Sequence, residues 1–277
     1  MLTSAQARQQ RRRRPPPSLK QQYQEYIMQR IEAYKNSMAR DELLRLGDEA
    51  VSELQATVEG QFTLTEVLMV DSVDRLITKR LKLRSYRRWR ESYLTLRAAQ
   101  REPMHWGLDP ASPVGRLLPR LEPGDGALVV GAGAEPAAYL LAAHDAAVTF
   151  ISGDLGSVER VESRVASESL GSLFQAYVAQ LGSWLPPVAQ PVHVVVTDLA
   201  ALAPLQSGTR RDFVLELQRL TECDGVHALL PSRGLAPDSL RSLYAEWEPD
   251  GHEGGSNARA RRSGLLLTKS ARQMDTY

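Results

Sequence analysis

The stretch Ala127-Leu128-Val129-Val130-Gly131-Ala132-Gly133-Ala134-Glu135-Pro136 constrains the fold more than any other part of the chain. Its apolar run has the length and side-chain branching of a buried strand, and it stops at two spaced glycines before alanine-rich, helix-favouring sequence begins. A strand, a tight turn and a helix start are expected. Glycine permits a sharp turn and leaves the peptide groups approachable, with no Cβ in the way. Pro136 suits the first helical turn, where its missing amide hydrogen costs nothing. The amides at the helix start are expected to be free and to face whatever lies above the turn.

The pattern continues to the end of the chain as short apolar runs separated by helical segments. Strands are expected at 127–130, 147–151, 174–178, 192–196, 225–230 and 264–268, with helices at 136–143, 158–168, around Phe213, Leu217 and Leu220, and at 237–247. Such alternation specifies an α/β fold with a doubly wound, mostly parallel sheet. Five prolines between residues 103 and 123 mark a connector, so this domain is expected over 124–277.

The first part of the chain reads differently. Arg11-Arg12-Arg13-Arg14-Pro15-Pro16-Pro17 makes residues 1–18 a basic, proline-rich tail, expected to be disordered when free. Residues 19–102 are expected to form an N-terminal all-α domain. Its apolar faces are Tyr23, Ile27, Ile31 and Tyr34, a second helix over 41–58, and a third with Val70, Val73, Ile77 and Leu81. Thr63-Leu64-Thr65-Glu66 has the form of a capping box that opens the third.

Charge divides along the same line. Residues 1–100 carry 19 basic and 12 acidic residues, net +7, whereas the remainder carries 15 and 21, net −6. A single cysteine, Cys223, rules out an internal disulfide framework and fits a reducing, cytoplasmic compartment. No Cys/His cluster suggests a metal, no apolar run reaches the roughly 20 residues a membrane span needs, and the basic N-terminus lacks the apolar segment of a secretion signal.

The order of elements over about 105–270 resembles the class I S-adenosylmethionine-dependent methyltransferases. The matching pieces are Val129-Val130-Gly131-Ala132-Gly133, Val148-Thr149-Phe150-Ile151-Ser152 and Val194-Val195-Val196-Thr197-Asp198. A helix, turn and fifth strand at 215–227 match as well. The resemblance implies S-adenosylmethionine as cofactor, with Gly131, Gly133 and Glu135 lining its methionine and ribose side. It puts Ser152 or Asp154 at the ribose and Asp198 at the reaction side, as the candidate catalytic residue.

The departures are specific too. Val129 and Glu135 stand where the family has an acid and a third glycine, and Ser152 stands where it has a ribose-binding carboxylate. The alternative is therefore a catalytically inactive methyltransferase-like subunit that binds a protein or nucleic acid, with Asp198 only capping the next helix. A nicotinamide-dependent enzyme using the same turn ranks below both. Asp198 is followed by Leu199-Ala200-Ala201 rather than the Pro-Pro-aromatic motif of amino-group methylating enzymes, which argues against adenine or glutamine nitrogen as the acceptor.

Residues 79–90 pack seven basic side chains and two aromatics into twelve positions. Arg84, Arg87, Arg88 and Arg90 are candidate phosphate contacts and Trp89 a candidate base-stacking ring, for nucleic acid or another polyanion. An acidic protein surface accounts for the same residues, as does a solvated helix face with Trp89 and Tyr86 buried. The loop 251–262, rich in glycine and arginine, is a candidate substrate contact or a mobile connection. His193 and His227 fall within strand patterns and read as core or rim residues.

Overall fold

The computed structural model describes residues 18–57, 66–170, 173–186, 192–250 and 264–270. The basic tail, most of the capping box at 63–66 and the loop at 251–262 lie outside the described residues. The chain forms two compact units, Met1–Thr95 and Leu96–Tyr277.

The first unit is helical. It contains α1 (Leu19–Ser37), α2 (Arg40–Thr57), α3 (Glu66–Arg80) and the start of α4 (Tyr86–Gln100). Helix α1 opens with Ser18 accepting from the Gln21 amide while the Gln21 side chain accepts from the Ser18 amide, a reciprocal cap that satisfies two otherwise orphan donors. The core is small: Ile31, Leu46, Ala50, Leu76 and Ile77, with Ile27, Tyr34, Met38, Val73 and Leu81 packed around it. Val70, expected on this face, is instead exposed, because the buried stripe of α3 runs through Val73, Leu76 and Ile77. Lys35 reaches Asp74 at 2.8 Å and Arg80 pairs with Glu49, which ties α1 and α2 to α3.

The second unit is built on a seven-stranded sheet in the order β3-β2-β1-β4-β5-β7-β6. The strands are β1 (Gly126–Val130), β2 (Ala147–Ser152), β3 (Phe174–Val178), β4 (Val192–Asp198), β5 (Thr221–Leu230), β6 (Trp247–Pro249) and β7 (Leu265–Lys269). Strands β1 to β5 pair in parallel, and β7 is antiparallel to both β5 and β6.

Side chains alternate across the sheet. Val129, Phe150, Val194, Val196 and Ala228 face one layer, formed by α5 (Pro113–Leu117), α6 (Glu135–Ala143) and α7 (Leu155–Ser167). Leu128, Val130, Ile151, Val195 and Leu229 face the other, formed by α8 (Leu199–Leu202), α9 (Ser207–Leu220) and a 3-10 segment at Pro237–Tyr244. Every residue of β4 is buried, as expected of a central parallel strand covered on both faces.

Residues 103–123, read from sequence as a connector, are packed into this unit: Trp106, Val114 and Leu117 belong to its core, and the Trp106 indole donates to the Gln100 carbonyl at 2.6 Å. The prolines there open short helical turns at Pro103 and Pro113 rather than interrupting structure.

Strand order reverses between β1 and β4, since the chain first builds outward through β2 and β3 and then returns to the other side of β1. In a doubly wound sheet the crevice at the carboxyl ends of the two strands flanking that reversal is where ligands bind. The Gly131–Gly133 turn lies there.

Candidate functional site

The turn is held by its own backbone. Gly131 has φ +97°, a conformation that favours glycine, and its amide donates to the Ile151 carbonyl of β2 at 2.8 Å. A 3-10 turn at Ala132–Ala134 follows, with the Ala134 and Glu135 amides bonded to the Gly131 and Ala132 carbonyls. Pro136 takes its expected place in the first turn of α6.

Asp198, at the end of β4, completes the enclosure. One carboxylate oxygen accepts from the Gly133 amide and the other from the Ala200 amide, both at 2.9 Å, and the residue is only 7% exposed. A Cβ on Gly133 would lie 2.5 Å from that first oxygen, and one on Gly131 would lie 2.8 Å from the Ala201 Cβ. The close approach of β4 and α8 thus demands glycine at 131, and it presses the Asp198 carboxylate against Gly133. It also corrects the expectation of free amides: those of Gly131, Gly133, Ala134 and Glu135 are all engaged within the protein.

Next to the turn, Glu135 accepts from the Ser157 hydroxyl at 2.7 Å and from Arg160 at 2.9 Å. Arg160 lies 3.8 Å from Asp154 as well, so one guanidinium bridges the carboxylates at the starts of α6 and α7. Asp154 caps α7 by accepting from the Gly156 amide, yet its side chain remains 60% exposed. Ser152 is buried and its hydroxyl accepts from the Asp154 amide at 3.1 Å. Thr197, buried beside Asp198, has a hydroxyl with no partner among the described residues.

The structure therefore brings Gly131, Gly133, Glu135, Asp154 and Asp198 to one end of the sheet. Sequence reasoning missed Ser157, Arg160 and Ala201, the first two being the partners of Glu135. An arginine six residues after an N-capping aspartate was the available signal for Arg160. Among the described residues no group of three His, Cys, Asp or Glu is placed to hold a metal, and no helix is long and apolar enough to cross a membrane.

The basic segment lies in the helical unit. Trp89 is 8% exposed, ringed by Tyr23, Tyr26, Tyr86 and Tyr93, so its indole is not presented to a base. Arg84, Arg87, Arg88 and Arg90 are exposed. Arg84 donates to the Ser92 hydroxyl at 2.9 Å and Arg87 lies 3.3 Å from Glu91.

No family model matches the chain, and no curated protein matches it. Solved structures similar to it include the N-methyltransferase NodS from Bradyrhizobium japonicum, at 13% identity over 57% of this chain and 92% of that one, with a TM-score of 0.46. TehB from Haemophilus influenzae is 14% identical over 57% of this chain and 61% of its own length, with a TM-score of 0.44. The glycopeptide N-methyltransferase MtfA is 14% identical over 60% and 98%, also with a TM-score of 0.44. By its own strand order, strand directions and glycine turn after β1, the second unit has the class I methyltransferase fold.

Proposed function

We propose that the chain is an S-adenosylmethionine-dependent methyltransferase, with the cofactor held above the turn between β1 and α6 and the helical unit recruiting the acceptor. The observation that carries this reading is the gathering of Glu135, Asp154 and Asp198 around a glycine turn at the switch point of the sheet. Three carboxylates against the one Arg160 guanidinium leave this end of the sheet negative, which suits a ligand bearing a sulfonium and an ammonium.

The residues present fit such a ligand. Asp198 and Ala201 fill the space beside Gly131 and Gly133, so the groups left to meet a ligand are the carboxylates around the turn. Asp154 is the exposed carboxylate just beyond the carboxyl end of β2, which favours it over buried Ser152 as the acceptor for the ribose hydroxyls. Asp198, held by two amides, acts as an orienting charge. When bound, the cofactor supplies an electrophilic methyl group, and such transfer asks the protein chiefly for alignment.

One observation favours a second reading, a fold of the same shape that works as an interaction subunit. Asp198 and Ala201 lie directly against the glycines and the Gly133 amide is already bonded. Calorimetric titration with S-adenosylmethionine and S-adenosylhomocysteine separates the two. The enzyme reading expects dissociation constants on the order of 1 μM to 1 mM, and roughly 2.7 kcal/mol of added stability at a hundredfold excess over the dissociation constant. Neither heat nor stabilisation at millimolar ligand would select the interaction subunit.

A further inference from the structure

Helix α4 opens with an aromatic column. Tyr86, Trp89 and Tyr93 follow one another at intervals of three and four residues and so share one face. The Tyr86 and Trp89 rings lie 24° apart in plane with centroids 6.3 Å apart, and Trp89 and Tyr93 lie 19° apart at 4.9 Å. Tyr23 of α1 meets both Tyr86 and Trp89, at 5.4 and 5.3 Å, and its hydroxyl donates to the Arg84 carbonyl, which fixes the chain just before the helix. The inner ring, Trp89, is covered. The outer ring, Tyr86, is 37% exposed.

That exposed ring stands at the N-terminus of a 15-residue helix, among Arg84, Arg87, Arg88 and Arg90, all exposed. Glu91 is the acidic side chain of the same two turns and it pairs with Arg87. The positive end of the helix dipole adds to the arginines.

We propose that the first two turns of α4 bind single-stranded nucleic acid, with phosphates on Arg84, Arg87, Arg88 and Arg90 and one unpaired base extending the aromatic column at Tyr86. An acidic protein surface would pair with the arginines and could cover the Tyr86 ring as well, and competition by polyglutamate separates it from nucleic acid. A duplex would satisfy the charges but keeps its base faces covered, whereas an unpaired base presents a π-face to stack. This inference rests on the recruiting role given to the helical unit and identifies the class of molecule recruited.

The test is fluorescence anisotropy of the full chain with a fluorescein-labelled oligouridylate over a range of NaCl concentrations. No cofactor is present, so its failure is distinct from failure of the cofactor reading. Affinity should fall with salt, and Arg87→Ala, Arg88→Ala and Arg90→Ala together should reduce the logarithmic slope by about 2. Tyr86→Leu, which keeps an apolar side chain but no ring, should weaken binding about tenfold without changing the slope, and Tyr86→Phe should retain wild-type affinity. Circular dichroism of Tyr86→Leu identifies loss of helix. A Tyr86→Leu protein that is folded and binds like wild type would overturn the proposal. So would polyglutamate competing as well as unlabelled oligonucleotide, which would make the surface an acidic-protein contact.

Discussion

Gly131→Ala is expected to destabilise the chain by about 3–5 kcal/mol, combining left-handed strain with overpacking. Gly131 sits at φ +97°, and the added Cβ would lie 2.8 Å from the Ala201 Cβ and 2.9 Å from the Asp198 Cβ. These are backbone-anchored atoms of β4 and α8, so no flexible side-chain tip can move aside. For a unit of this size the loss corresponds to roughly 10 °C or more in Tm. Gly133→Ala differs in kind, because its Cβ meets a carboxylate oxygen at 2.5 Å. That carboxylate can rotate away, at the cost of its bond to the Gly133 amide. Gly47 in α2 is the control: nothing lies within 4 Å of its Cβ position, so Gly47→Ala should stabilise by about 0.5–1 kcal/mol. Urea unfolding of the three variants checks the order. A Gly131→Ala protein as stable as wild type would contradict the packing of the turn against β4.

Acid should weaken the fold through His227. This side chain is fully buried between β5 and the 3-10 segment, with Nε2 2.6 Å from the Thr221 hydroxyl and Nδ1 2.9 Å from the Tyr244 hydroxyl. The Thr221 hydroxyl already donates to the Leu217 carbonyl, so Nε2 carries the proton and Nδ1 accepts from Tyr244. Burial, helped by the Lys269 ammonium, lowers the His227 pKa to about 3, and burial raises that of Tyr244 above the ordinary phenol value.

The folded pKa lies below the unfolded one, so the unfolded state takes up the proton first as pH falls. The contribution is fully present above about pH 6.5 and is lost progressively towards pH 3. Between pH 7 and 4.5 the loss attributable to this residue is about 2–3 kcal/mol. His227→Gln should be less stable than wild type at pH 7 yet lose less on acidification, by about that amount. Parallel slopes for the two proteins would show that His227 is not the acid-sensitive group.

Much of the α/β unit was legible because its strands carry their own signal. Strands β1, β2, β4, β5 and β7 are continuous or alternating apolar runs, and each stands within a few residues of its expected place. Strand β6 was not legible: three residues, Trp247 to Pro249, are too few for a period, and they follow directly on a segment whose Leu240 and Tyr244 have helical spacing. Prolines at 103–123 marked a connector, and the short helical turns within it were not legible because they depend on Trp106, Val114 and Leu117 finding the main core.

The residues that the structure gathers around the glycine turn could be named from the sequence, but the bonds among them could not. Asp198 and Gly133 are 65 residues apart, and Glu135 reaches Ser157 and Arg160 across 22 and 25. Such pairings follow from the register of β1 between β2 and β4, which spacing along the chain does not encode. The same limit applies to Trp89, whose burial under Tyr23 and Tyr26 depends on how α1 packs against α4.

The central claim places a ligand above the turn between β1 and α6. Backbone amide spectra of isotope-labelled full chain, titrated with S-adenosylhomocysteine, test it most directly. Shifts should concentrate at Gly131 to Glu135, Gly153 to Gly156 and Asp198 to Ala201. An unperturbed spectrum would contradict the claim. So would shifts confined to the cavity of about 510 Å³ at the opposite end of the sheet, around Arg120, His193 and Thr268.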